Sequence, residues 1–369
     1  YKHAWLEIYD QPIVYFPKFF HPDPTVKRQS GFLIPAIKSS SNDNSFLSTP
    51  YFYAISESKD MTFTPRFYSS DKFLLQTEYR SVTSNSKTNT DISFFTEKNK
   101  NSSNHLFYNL EKDLNFQYFD QSNLELIIEK TSNDTYLRAN KLESPIINEY
   151  SVLENSFNLN MYSDDFAIDT QFTIYENLDK EKTDRYEYIL PELNINKKLD
   201  NKTSLDGTFV FNSKNLFKNY DTNVSEKINI NDLVFNSNPK ISNNGFYSNY
   251  EFIIKNSNSD ANNSGNYKNK ENYYLGALFQ YNTSLPLVKE NTEFQNILSP
   301  KISLKIGPDH TKDKRDSFTR LDVNNIYGLN RLASDDALEG GLSVSYGSEF
   351  TRINKENSRE DFVFKIANN

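Results

Sequence analysis

Met61-Thr62-Phe63-Thr64-Pro65-Arg66-Phe67-Tyr68 alternates at every position, with Met61, Phe63, Pro65 and Phe67 on one side and Thr62, Thr64, Arg66 and Tyr68 on the other. Successive side chains of an extended backbone point in opposite directions, so period 2 marks a strand with two unlike faces. The same period recurs far along the chain. Phe166, Ile168, Thr170, Phe172 and Ile174 alternate with Ala167, Asp169, Gln171 and Thr173. Tyr273, Leu275, Ala277, Phe279 and Tyr281 alternate with Tyr274, Gly276, Leu278 and Gln280, and Leu342, Val344, Tyr346 and Phe350 with Ser343, Ser345, Glu349 and Thr351. Between such segments lie turn-forming clusters: Ser41-Asn42-Asp43-Asn44, Ser69-Ser70-Asp71-Lys72, Ser163-Asp164-Asp165 and Asp200-Asn201-Lys202-Thr203. The pattern predicts roughly 15 to 18 strands in consecutive hairpins, more than one soluble sandwich usually holds and within the range of membrane barrels.

Composition agrees with an all-β fold. Among 369 residues there are 24 Tyr and 29 Phe, making aromatics 15%, with only 10 Gly. Strands joined by polar turns have this make-up, and so many large apolar side chains argue against disorder. Mean hydropathy is −0.72. The longest apolar runs, such as Phe32 to Ile37, fall far short of the roughly 20 residues that a membrane-crossing helix needs. A large antiparallel transmembrane β-barrel escapes that limit, because each strand needs only about 10 residues and alternates lipid-facing with interior-facing side chains. Strand charges such as Arg66, Glu78 and Arg80 are costly toward lipid and ordinary toward a water-filled lumen, which makes them lumen-facing candidates.

Two stretches break the rhythm. Residues 1 to about 29 are proline-rich (Pro12, Pro17, Pro22, Pro24), and 307 to 339 are polar, with Lys312, Lys314, Arg315 and Asp335-Asp336. The second reads as a long surface loop. The chain opens at Tyr1 without a leader pattern, so it is expected to be an internal piece of a longer protein.

Catalytic and metal chemistry find little support. The four His (His3, His21, His105, His310) have no metal-ligand spacing, and no Gly-x-Ser-x-Gly elbow, phosphate loop or dinucleotide fingerprint is present. With 41 Lys+Arg against 49 Asp+Glu, the net charge of −8 disfavours nucleic acid. There is no Cys, and Asn-x-Ser/Thr triplets such as Asn133-Asp134-Thr135 are what so Asn-rich a chain gives by chance. The chain is therefore expected to be no enzyme and to carry no cofactor.

Proline lacks the N–H that a sheet ladder needs, so it belongs at edges, bulges and strand ends. Lys27-Arg28-Gln29-Ser30-Gly31-Phe32-Leu33-Ile34-Pro35 and Thr49-Pro50-Tyr51-Phe52-Tyr53 place one in each of two consecutive strands. Pro35 and Pro50 either bend strands near a rim or weaken a seam that can open sideways.

The run His21-Pro22-Asp23-Pro24-Thr25-Val26-Lys27-Arg28-Gln29-Ser30-Gly31-Phe32-Leu33-Ile34-Pro35 resembles the start of the barrel in the LptD (organic solvent tolerance) family of lipopolysaccharide-assembly proteins. The likeness continues through Pro50–Ile55, Met61–Tyr68 and Leu75–Arg80. Weaker echoes follow, in order, at Asp134–Arg138, Leu190–Leu193, Leu298–Pro300 and Tyr327–Ser334. The resemblance implies a periplasmic β-jellyroll ending at 1–25, of which Trp5–Tyr9 and Ile13–Phe16 look like the last strand, and an outer-membrane barrel over 26–369. It implies that Pro22, Pro24, Lys27 and Arg28 form the junction and that Pro35 and Pro50 are lateral-gate prolines. It implies transfer of lipopolysaccharide into the outer leaflet, with the lipoprotein LptE plugging the lumen, LptA bridging the periplasm and the barrel-assembly machinery acting in biogenesis. The chain is expected to stop before the closing strands. Many members carry Cys that join jellyroll to barrel and this stretch has none, so oxidative maturation does not carry over. The rival expectations are a large nutrient receptor or porin-type channel, or a barrel enzyme with Asp, His and Ser gathered on one rim.

Overall fold

The computed structural model describes residues 2–8, 11–18, 28–38, 45–181, 183–221, 223–309, 320–332 and 334–369. It is all-β and antiparallel, with 64% of the chain in strands and 2% in helix. No helix of the described residues is long and apolar enough to cross a membrane.

Two compact units divide the chain: Tyr1–Asp113 with Glu125–Asn155, and Leu114–Leu124 with Ser156–Asn369. The first unit opens with β1 (Lys2–Ile8) and β2 (Gln11–Lys18), a two-stranded sheet of its own with a register shift at Leu6/Glu7. Where one strand was expected over Trp5–Phe16 there are two; Pro22, Pro24 and Lys27 lie outside the described residues. Next come β3 (Gly31–Phe32), β4 (Ala36–Lys38), β5 (Phe46–Ser48), β6 (Tyr51–Ser56), β7 (Lys59–Tyr68), β8 (Lys72–Val82), β9 (Ser86–Glu97), β10 (Ser103–Asp113) and most of β11 (Gln121–Thr131). A one-turn helix, α1 (Tyr136–Asn140), follows.

The second unit holds most of β12 (Val152–Tyr162), then β13 (Phe166–Asn177), β14 (Tyr186–Leu199), β15 (Gly207–Tyr220), β16 (Val224–Ser237), β17 (Lys240–Ile241), β18 (Tyr247–Asn262), β19 (Asn272–Ser284), β20 (Leu287–Glu290), β21 (Phe294–Ile306), β22 (Leu342–Asn354) and β23 (Arg359–Asn368). Four of the short strands continue a neighbour past a proline. β3 and β4 flank Pro35, β5 and β6 flank Pro50, β16 and β17 flank Pro239, and β19 and β20 flank Pro286. In each pair both pieces lie on one partner strand or its continuation. Counting each pair once turns the 21 strands after the N-terminal hairpin into 17 among the described residues, inside the expected range. Missing proline N–H groups, not turns, cause these breaks.

Each unit is inverted relative to a water-soluble sheet. In the first, Phe67, Ile92, Phe94 and Leu106 are exposed while Arg66, Gln76, Asp91, Ser93 and His105 are buried. In the second, Tyr273, Leu275, Ile302, Leu342 and Tyr346 are exposed while Lys255, Ser257, Gln280, Ser303, Lys305 and Ser345 are buried. The alternation read at Met61–Tyr68, Tyr273–Tyr281 and Leu342–Thr351 is the alternation seen, with the apolar set facing outward.

Candidate functional site

A row of prolines crosses the first strands. Residues 33–35 lie opposite 49–50, since Phe32 faces Tyr51 and Ala36 faces Ser48. Three residues against two make a bulge, and it contains both Pro35 and Pro50. Leu33 N–H donates to Pro50 O at 2.8 Å, and on the next strand Thr49 N–H donates to Pro65 O at 3.3 Å. Pro65 thus joins the same row, a third proline in a third adjacent strand. Its place in the row depends on register, which the stretch Met61–Tyr68 does not carry by itself. The ladder between the two broken strands is correspondingly short: β4 faces β5 at Ala36, Ile37 and Lys38 and β3 faces β6 at Gly31 and Phe32, whereas β8 and β9 pair without a break from Lys72 to Val82. Phe32, Ile34 and Ile37 are exposed, Ile37 by 83%.

Arg28, just before this row, is anchored. Its Nη1 donates to Asp60 Oδ2 at 2.7 Å, and Arg80 Nε donates to Asp60 Oδ1 at 2.7 Å, so one buried carboxylate serves two guanidinium groups. Ser30 Oγ accepts from Ala54 N–H at 2.9 Å. The residues before the broken strands are thereby pinned to β6 and β7.

The polar face of the first unit is capped by the chain around α1. Register puts Thr64, Gln76, Ser93 and His105 in one row, Arg66 and Leu74 beside it, and Thr62, Glu78, Asp91 and Phe107 on the other side, with Arg80 beyond. Arg66, Glu78 and Arg80 therefore share this face. Arg66 Nη1 donates to Asn140 O at 2.7 Å, where α1 ends and its last carbonyls lack helical partners. Gln76 Nε2 reaches Glu143 O at 2.8 Å and Asp91 Oδ2 at 2.9 Å. Ser93 Oγ lies 2.6 Å from His105 Nδ1 and 2.6 Å from Tyr136 Oη, while His105 Nε2 lies 3.2 Å from Asp91 Oδ1. Burial pushes the Tyr136 hydroxyl up to about 12, so it stays protonated and able to donate to Ser93. Ser, His and Asp are thus neighbours, as a hydrolase needs, yet His105 Nε2 makes no hydrogen bond, Ser93 Oγ is covered by Tyr136, and the His105 and Asp91 side chains are wholly buried. The bonds from Arg66, Gln76 and Ser93 fasten the cap.

The second unit has a cap of its own, and here the sequence expectation is corrected. The polar stretch 307–339 is expected to be a surface loop; Lys312, Lys314 and Arg315 lie outside the described residues, but the described residues of 320–339 fold onto the polar face. Ile326, Arg331, Asp336, Ala337 and Leu338 are buried. Leu338 packs with Ile253, Tyr274 and Leu278. Lys255 Nζ donates to Asp335 O at 2.6 Å and Asp232 Oδ2 at 2.7 Å, and Gln280 Nε2 to Tyr327 O at 2.7 Å. Lys305 Nζ donates to Gly328 O at 2.6 Å and Glu339 Oε2 at 3.3 Å. Arg331 pairs two-pronged with Glu339 and donates to Ser343 Oγ at 3.0 Å. Burial works to raise the Glu339 carboxyl, but hydrogen bonds and charge from Arg331 and Lys305 hold it below the ordinary value. Gly307 and Gly347 make the close approach possible: a Cβ at the first would strike the Glu339 carbonyl, and one at the second the Tyr327 hydroxyl. A segment dense in charge is read as solvated unless its partners are known, and these partners lie on strands far away in sequence. Both caps contain stretches that had echoed the family, Asp134–Arg138 and Tyr327–Ser334.

No family model matches the chain. It is 28% identical over 222 residues to the LPS-assembly protein LptD of Pseudoalteromonas atlantica, covering 60% of this chain and 28% of that protein. To LptD of Pseudoalteromonas translucida it is 40% identical over 80 residues, covering 22% and 11%, and to LptD of Shewanella frigidimarina 39% over 77 residues, covering 21% and 10%. The chain therefore matches part of LptD and spans well under two thirds of these relatives.

Proposed function

We propose that this chain, similar to part of LptD, is part of an outer-membrane β-barrel that assembles lipopolysaccharide into the outer leaflet, and that the lipid leaves sideways at the row Pro35, Pro50 and Pro65. The proline row is the observation that carries the reading. A glycolipid must keep its sugars in water and its acyl chains in hydrocarbon, so a route through a barrel wall needs strands that separate at low cost. Two strands that pair over a short ladder and lack two donors at one bulge meet that need.

The inverted faces support the membrane setting. Unbroken strands of 10 to 16 residues, such as β7 and β18, suffice for the roughly 9–11 that a crossing requires. Arg66, Glu78 and Arg80 then line the interior. The hairpin β1–β2 belongs to the periplasmic jellyroll, joined to the barrel through Pro22, Pro24, Lys27 and Arg28, and the partners are an LptE-type lipoprotein plug, an LptA-type bridge and the barrel-assembly machinery. The protein acts as a conduit and not as an enzyme. Two caps seated on the polar faces disfavour an open porin-type channel.

The test is Pro35→Ala with Pro50→Ala in the full-length protein. The pair supplies two ladder donors and is expected to slow arrival of lipopolysaccharide at the cell surface and to raise sensitivity to large antibiotics. Unchanged delivery and unchanged sensitivity contradict the proposal.

A further inference from the structure

The outward apolar face of the second unit gives way to an island of amides, followed by the charged pair Lys227 and Asp260. Register aligns Leu193, Asn215, Asn229, Asn258 and Tyr273 in one row across β14, β15, β16, β18 and β19, and Ile195, Ser213, Asn231, Asn256 and Leu275 in the next. The flanking members on β14 and β19 are apolar or aromatic, whereas every middle member is an amide or hydroxyl. One row further on, in the other direction, Phe211, Leu233, Ile254 and Ala277 restore the apolar face beside Lys197 on β14. The island is knitted sideways: Asn229 Nδ2 donates to Asn215 Oδ1 at 2.5 Å, Asn231 Nδ2 to Asn229 Oδ1 at 2.8 Å, Asn258 Nδ2 to Asn229 Oδ1 at 3.1 Å and Ser213 Oγ to Asn231 Oδ1 at 2.8 Å.

A groove of about 350 Å³ opens on it, lined by Asn215, Asn229, Asn258, Lys227, Asp260 and Tyr273 among others. The Tyr273 ring is 73% exposed. Each amide offers two donors and a two-lone-pair oxygen, more than this ladder uses, so hydrocarbon is a poor neighbour for it. The groove holds one cation, Lys227, already 3.2 Å from Asp260, with Glu271 as a second carboxylate. That balance disfavours a phosphate and favours a neutral polyhydroxyl. A pyranose matches it, with its C–H face on Tyr273 and its hydroxyls exchanging hydrogen bonds with the amides and Asp260.

We propose that the island and Tyr273 form a saccharide-binding shelf that takes the sugar headgroup of a glycolipid packed against the outer wall. This rests on the reading of the outward face as membrane-facing, and not on where lipid leaves the barrel.

The test places the full-length protein in nanodiscs holding equal amounts of lipopolysaccharide and a phospholipid, and measures the enrichment of bound lipopolysaccharide by mass spectrometry. Wild type is expected to enrich it, and Tyr273→Ala, at a largely exposed side chain whose one hydrogen bond is to Glu271 at 3.2 Å, to cut the enrichment about fivefold, the scale of one lost aromatic contact. Asn229→Leu should do the same. Saturation transfer from the protein to delipidated core oligosaccharide, lost in Tyr273→Ala, assigns recognition to the sugar alone; no transfer, with enrichment still sensitive to Tyr273→Ala, assigns it to the sugar held at the bilayer. Equal enrichment in wild type and both variants overturns the shelf. Pro35→Ala with Pro50→Ala should leave the enrichment unchanged, so failure of the shelf and failure of the lateral route are read separately.

Discussion

Arg331 is 7% exposed and meets Glu339 two-pronged, with Lys305 on the other side of the same carboxylate. Glu339 is half-buried, so removing its charge strands the buried Arg331 at a screened cost of about 1–3 kcal/mol. Glu339→Gln should therefore release the 320–341 cap at neutral pH, seen as rapid proteolytic cleavage within it. The depressed Glu339 carboxyl sets the sign of the pH effect. Its contribution is fully present above the ordinary value of 4.5 and is lost as pH falls through the lower folded value. Wild type should become as cleavable as Glu339→Gln under an acid-tolerant protease below that window, while the variant shows no such rise. Equal cleavage of both at pH 7 counts against the cap. Nothing local marks Arg331 as buried, since its carboxylate is shared with Lys305 on β21 and its hydroxyl partners Ser343 and Ser345 lie on β22.

Strands were legible because their signal is local. Phe63 and Phe67 announce one face of β7, and the register later proves it. Pro35 and Pro50 could be seen to weaken a ladder, but their meeting in a single bulge, and Pro65 beside them, depend on which residues pair. The caps were illegible for the opposite reason: α1 and 320–339 satisfy their polar groups on distant strands, so turn-like composition was read as solvated. At this scale the account predicts that backbone amides of Gly31–Lys38 and Phe46–Ser56 exchange hydrogen ahead of those in β8 and β9. Supplying two donors through Pro35→Ala and Pro50→Ala should slow that exchange by about fivefold or more, at roughly 1 kcal/mol per net hydrogen bond. Exchange as slow as in β8, in the unmodified protein, speaks against a weak ladder.

For the molecule as a whole, a mean hydropathy of −0.72 and exposed apolar faces are two sides of one pattern. Alternation gives half of every strand to polar groups, so the average is low although the outward set is Phe, Tyr, Leu and Ile. Family likeness was legible at its strongest where the chain enters and forms the broken strands, and the same stretch carries the proposed exit. The most direct measurement uses the absence of Cys in the chain. Ile37 and Leu47 are direct partners across the two broken strands, a spacing suited to a disulfide. Ile37→Cys with Leu47→Cys in the full-length protein should halt surface delivery of lipopolysaccharide when oxidised and restore it on reduction. Undiminished delivery through a fully formed Cys–Cys link would contradict an exit at the proline row.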